Sequence, residues 1–246
     1  HHHHHHRFHH HRRSCSLVEC QSKELEAEVI GEQKRVGELV GWCVEQGFTG
    51  TGLGVRPATS QRRRGRGLEA TRVVDKNERV LTIPLRAGIV DEGFGHPASA
   101  RNAIERAPWG VRLACRLLQE RRKGEKKSKY APYLELIPEN VETSPLHYTE
   151  EEVSRICYPP MEKEIEEMRD AVKKWYTDLN EGEGREALAG ATEGEFRNAV
   201  AVVHSRTYGV SSGDTGEGYF RALLPLADLL NHGGDEYIDE TRSSTS

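Results

Sequence analysis

The stretch Arg221-Ala222-Leu223-Leu224-Pro225-Leu226-Ala227-Asp228-Leu229-Leu230-Asn231-His232 constrains this chain more than any other. An apolar run closes on Asp228, Asn231 and His232, and Gly233-Gly234 follow at once. A segment this apolar belongs in an interior, where an unpaired polar group costs about 1–3 kcal/mol. The polar side chains at its end therefore need partners, in the chain or in a ligand. Taken alone, the run also fits a buried helix end capped by Asn231.

The segments before it alternate in character. Val36, Leu39, Val40, Cys43 and Val44 fall on one face of an amphipathic helix that Gly47 ends. Residues 14–34 before it are polar and read as a loose helix or tail. Glu69 to Val74 and Arg79 to Ile83 read as two extended segments, with Asp75-Lys76-Asn77-Glu78 as the turn of a β-hairpin. Pro108 suits the first residue of a helix whose apolar face is Val111, Ala114, Cys115, Leu117 and Leu118. The charged linker Arg121 to Lys129 reads as solvated.

Thr149-Glu150-Glu151-Glu152 has the form of a capping box. Met161, Ile165, Met168, Val172 and Trp175 make a helical stripe, read as core. Asn180 to Thr192, rich in Gly and Glu, reads as a mobile loop. From Phe196 another apolar helix, with Val200 and Val203, runs into His204-Ser205-Arg206. Strands, a helical block and then the Asn-His segment make the expected class α+β with a helical insertion.

Composition narrows the function classes. At 246 residues the chain holds one large domain or two small ones. A net charge of -4 argues against a dedicated nucleic-acid binder. No apolar run approaches the roughly 18 residues of a membrane helix. Cys15, Cys20, Cys43, Cys115 and Cys157 form no CxxC pair. That spacing disfavours a zinc knuckle or disulfide framework and points to a reducing compartment. The opening tract His1 to Arg13 reads as a tag or low-complexity sequence.

Three further groups of residues suggest chemistry. Gly65-Arg66-Gly67-Leu68 lets backbone approach a ligand closely, because glycine lacks Cβ. Ser205-Arg206-Thr207-Tyr208 places a guanidinium between an apolar helix and an aromatic, and such a fork suits a carboxylate. Leu113-Ala114, Leu117-Leu118-Gln119-Glu120, Ser128-Lys129-Tyr130-Ala131-Pro132-Tyr133-Leu134 and Leu136-Ile137-Pro138 complete the set. A dinucleotide fingerprint at Gly50 to Gly54 fails, because a helix precedes it and no clear helix follows.

In this order, over roughly residues 36–238, these motifs resemble those of SET-domain protein methyltransferases of the Rubisco large-subunit methyltransferase-like branch. The resemblance implies a β-rich SET core split by a helical insertion and incomplete at its C-terminus. It divides the chain into a polar tail at 1-34, the first part of the core at 35-95, the insertion at 96-200 and the second part of the core at 201-246. It implies S-adenosylmethionine as cofactor, held by Arg66, Gly67, Leu68, Arg206, Asp228, Asn231 and His232. It implies methyl transfer to a lysine of a protein substrate, with no metal, no nucleic acid or membrane partner, and a monomer in an intracellular compartment (cytoplasm, nucleus or plastid).

The chain also departs from the family pattern. Tyr130 stands where Trp is frequent, Arg66 stands where the plant enzyme has Glu, and the basic stretch Arg56 to Arg64 is long. The family's catalytic tyrosine comes from a later segment, and Tyr237 lies too close to His232 to be it, so no catalytic residue is assigned. A non-catalytic, truncated cofactor- or protein-binding fragment is the rival expectation. A histidine acceptor, as in the branch member that methylates actin, is another. A generic helical interaction domain is the third.

Overall fold

A computed structural model describes residues 17–50, 52–56, 65–91, 96–124, 127–211 and 218–231; over 17–28 only its backbone is described. The His-rich start, the basic stretch after Arg56, His232, Tyr237 and the polar tail lie outside these residues.

Helix α1 (Leu17–Glu45) begins earlier than the apolar periodicity predicts and ends before Gly47, whose φ of 87° suits glycine. It buries Glu32, Val36, Leu39 and Cys43, while Val40 and Val44 face solvent. The predicted stripe is thus narrower than expected, and a charged residue continues it.

Four short strands follow: β1 (Thr49–Gly50), β2 (Leu53–Arg56), β3 (Gly67–Ala70) and β4 (Leu81–Thr82). The expected hairpin between 69–74 and 79–83 is replaced by other pairings. β3 runs antiparallel to β2, with Val55 opposite Leu68, and β4 pairs with β1. The turn itself forms: the Glu78 amide donates to the Asp75 carbonyl at 3.1 Å, and Asn77 takes a φ of 68°. Its flanks do not pair with each other: Glu69 and Ala70 lie opposite Gly54 and Leu53, and Leu81 and Thr82 opposite Gly50 and Thr49. Thr71 to Val73 are all exposed and offer a second strand no buried face.

A three-stranded sheet gathers distant parts of the chain. β7 (Tyr219–Leu223) lies between β5 (Ile89–Val90) and β6 (Thr207–Ser211), both antiparallel to it, with Ile89 and Thr207 each opposite Leu223. Asp91 extends the β5 edge. Its carboxylate accepts from the Arg221 amide at 2.9 Å and from Arg112 at 2.8 Å.

Helices α2 (Arg101–Glu105), α3 (Trp109–Lys123), α4 (Ala131–Leu134), α5 (Glu150–Ser154), α6 (Pro159–Glu181) and α7 (Glu193–Arg206) lie between β5 and β6 in the chain. Pro108 is the residue just before α3, one place short of the prediction. α3 packs along α7, and Leu113, Leu117, Phe196, Val202 and Val203 are wholly buried between the elements. The Thr149–Glu152 capping box forms as read, and Thr192–Glu195 makes a second one that starts α7. In α6 the stripe buries Ile165 and Val172, while Met161 stays exposed.

Two segments read as solvated or mobile are packed. Ala187 and Leu188 are buried at 0% and 1% exposure in the turn Arg185–Leu188. Ser128 donates to buried Glu120 at 2.8 Å, and Arg121 reaches the Pro138 carbonyl at 2.8 Å. A loop rich in polar residues still folds inward when one leucine or one buried acceptor anchors it. Among the described residues no helix is long and apolar enough to cross a membrane.

Candidate functional site

The apolar run that opened the sequence reading forms β7 and then a single 3-10 turn, Ala227–Leu229, rather than a helix end. Leu226 enters that turn with a φ of 67°. A non-glycine residue held there is strained, and surrounding contacts must hold it in place. They are present: the Asp228 amide donates to the Leu224 carbonyl at 3.1 Å, and Tyr208 donates its hydroxyl to the Ala227 carbonyl at 2.7 Å. The turn fixes Asp228 and Asn231 against two other elements.

The first is the end of α7. One Arg206 nitrogen donates to Oδ2 of Asp228 at 3.1 Å. The Asp228 side chain is only 2% exposed. Tyr133 of α4, itself buried, donates its hydroxyl to the same oxygen at 3.1 Å. Oδ1 is buried and has no partner among the described residues. Burial raises the Asp228 pKa above the ordinary carboxylate value, against the opposing pull of Arg206, Tyr133 and Arg66. The carboxyl in turn joins burial in pushing the Tyr133 and Tyr208 hydroxyls up and the Cys43 thiol to about 12.

The second element is the start of β3. A Cβ on Gly67 would lie 2.4 Å from Nδ2 of Asn231 and 2.8 Å from an Arg56 nitrogen. Only glycine permits this approach. Arg66, expected among the cofactor ligands, instead meets Glu32 of α1 at 2.7 Å and the Leu136 carbonyl at 2.8 Å. Leu68 is half-buried opposite Val55.

Between the end of α7, the Asp228 turn and the segment after α4 opens a cleft of about 680 Å³, lined among others by Val141, Thr143, Ser205, Arg206, Asp228 and Asn231. Its size suits a drug-sized ligand. Smaller clefts of about 400 Å³ open beside Arg121 and Glu139, and beside His147 and Arg197. The predicted residues Arg206, Asp228 and Asn231 are therefore brought together, and Gly67 touches them through Asn231. Tyr133 and Glu32 were not anticipated as site residues. Tyr133 lies in a recognised motif, but its partner is 95 residues away. Glu32 sits in a polar stretch with no distinguishing signal. Among the described residues, no group of side chains has the makings of a metal site.

The fold matches solved structures. The crystal structure of the SET domain of LSMT bound to lysine and AdoHcy superposes with a TM-score of 0.64 at 20% identity, over 81% of this chain and 45% of that one. The chain has a SET fold. Rubisco LSMT bound to sinefungin and monomethyllysine superposes with a TM-score of 0.61, also at 20% identity. In sequence, the SET fold seen here is 25% identical over 195 residues to the chloroplastic Rubisco large subunit N-methyltransferase of Nicotiana tabacum. It is 26% identical over 195 residues to the chloroplastic fructose-bisphosphate aldolase-lysine N-methyltransferase of Arabidopsis thaliana. Each of these matches covers 78% of this chain and 38% of the relative, so the chain spans well under half the length of the curated proteins it matches. No family model matches it.

Proposed function

We propose that the cleft at Arg206, Asp228 and Asn231 is the S-adenosylmethionine site of a protein-lysine N-methyltransferase. One observation carries the reading. In a SET fold, the segment after α4, the end of α7 and the turn after β7 converge on a cleft lined by Arg206, Asp228 and Asn231, and Gly67 leaves room for Asn231. These features fit a ligand with hydroxyl and ammonium donors and a flat, polar base. Gly67, Leu68, Arg206, Asp228 and Asn231 would hold it, with His232 next in sequence. When bound, the cofactor would supply an electrophilic methyl group to a lysine of a protein substrate.

The chain's own task is then alignment and exclusion of water. A lysine must be neutral to react, yet its free pKa is about 10.4. A desolvated channel favours the neutral amine. Fixing both reactants in line contributes several kcal/mol. The substrate class follows the two relatives, one named for N-methylation of the Rubisco large subunit and the other for lysine N-methylation of fructose-bisphosphate aldolase.

We also propose that residues 35-95 and 201-246 are two parts of one SET core around a helical insertion at 96-200. Support comes from β5, which pairs with β7 across the whole helical block.

Calorimetry with S-adenosylmethionine tests the site. Binding by the wild-type chain that both Arg206→Ala and Asn231→Ala weaken is expected. Absence of binding by a chain that circular dichroism shows to be folded would sink the reading and favour a non-catalytic interaction module.

A further inference from the structure

Tyr133 supports the cleft from behind without lining it. It is 1% exposed, on the four-residue helix α4. Its neighbour Tyr130 ties the same helix to the other side of the fold, by donating its hydroxyl to the Gly88 carbonyl at 3.1 Å. α4 therefore places the Tyr133 hydroxyl at a fixed point beneath Asp228.

The pairing around that carboxylate is lopsided. Arg206 and Tyr133 both donate to Oδ2, each at 3.1 Å, while Oδ1 stays buried and unpartnered among the described residues. A guanidinium serving only to neutralise a carboxylate does better by engaging both oxygens in a fork. Arg206 instead spends one nitrogen on Oδ2 and, with its side chain 24% exposed, lines the cleft, so its other N–H groups are left for a ligand.

We propose that Tyr133 is a positioning residue for ligand binding: it holds Oδ2 of Asp228 in place, and Asp228 in turn fixes the Arg206 guanidinium at the wall of the cleft. This rests on the cleft being the cofactor site and extends it to a residue outside the lining. The charged and titratable groups facing Asp228 are Arg206 from α7, Tyr133 from α4, Tyr208 from β6, Arg66 before β3 and Cys43 from α1. Of these, Tyr133 and Arg206 hydrogen-bond to it and favour its charged form.

Calorimetric binding of S-adenosylmethionine between about pH 5 and 9, on wild type and Tyr133→Phe, tests the assignment. The Phe variant keeps the packed ring and loses only the donor. Its affinity on the plateau should fall about tenfold. Its acid limb should move to higher pH, because the carboxylate has lost a group that favours its charge. In an Asp228→Asn background the limb should vanish, and adding Tyr133→Phe should change nothing further.

Wild-type binding with a superimposable Tyr133→Phe profile overturns the Tyr133 assignment alone. No wild-type binding overturns it together with the cofactor reading. Should Tyr133→Phe not fold, NMR of the wild-type chain decides. The Tyr133 hydroxyl proton should shift as Asp228 titrates and again when S-adenosylmethionine is added; a proton that responds to neither overturns the proposal.

Discussion

Arg66 reaches back 34 residues to Glu32 and donates to both of its carboxylate oxygens, at 2.7 and 3.1 Å. The Glu32 side chain is 4% exposed and that of Arg66 16%, so the pair is largely out of water. A third Arg66 nitrogen donates to the Leu136 carbonyl at 2.8 Å. One guanidinium thus ties α1, the glycine segment before β3 and the chain after α4 into one unit. Removing one partner of a buried pair leaves the other uncompensated, at a cost of about 3 kcal/mol. Glu32→Ala should lower the urea midpoint accordingly. Because Gly67 directly follows Arg66, it should also weaken cofactor binding. Exchanging the charges, as Glu32→Arg with Arg66→Glu, should recover part of both losses; an unchanged midpoint in Glu32→Ala would show that the latch contributes nothing.

Gly67→Ala separates shape from stability. The added methyl would sit 2.4 Å from Nδ2 of Asn231, a contact that cannot stand, so Asn231 must move. Asn231 is exposed, so its displacement should leave the core intact. Affinity for S-adenosylmethionine should fall at least about tenfold, or 1.4 kcal/mol, with an unchanged circular dichroism spectrum. Equal affinity in the variant would remove Asn231 from the site.

Leu188 tests the segment whose composition misleads. It sits at 1% exposure inside a stretch rich in Gly and Glu. Leu188→Ala should destabilise the chain by about 3 kcal/mol, in the range for buried leucines. A loss below about 0.5 kcal/mol, the size expected of a surface position, would show that the segment is as mobile as its composition suggests.

What the sequence made legible follows from how local each signal is. The α6 stripe, the Thr149 capping box and the Phe196 helix are written within a few residues, and the fold reproduces them. The fold brings Arg206, Asp228 and Asn231 together, as motif order implies, because that order carries long-range information that periodicity lacks. The 69–83 hairpin does not form because a good turn does not ensure that its flanks pair; β3 and β4 find their partners in β2 and β1 instead. Tyr133 and Glu32 could not be found at all. A hydroxyl or carboxylate partner far away in sequence leaves no local trace.

His96 gives the clearest dependence on pH. It is buried at 4% exposure, and Nδ1 lies 3.1 Å from the Gln119 amide nitrogen, which must donate to it. That places the ring proton on Nε2, which has no partner among the described residues. Burial first, then Arg116 and Arg112, lowers its pKa to about 4. The folded chain therefore holds a neutral ring where the unfolded chain, with a pKa of about 6.5, takes up a proton. Between these two values the unfolded state binds more protons, so stability must fall as pH falls through that window. The loss is at most about 3 kcal/mol by pH 4. In His96→Gln the melting temperature should fall less steeply between about pH 6.5 and 4 than in wild type. Parallel slopes in the two proteins would show that His96 takes up its proton in the folded state as readily as in the unfolded one.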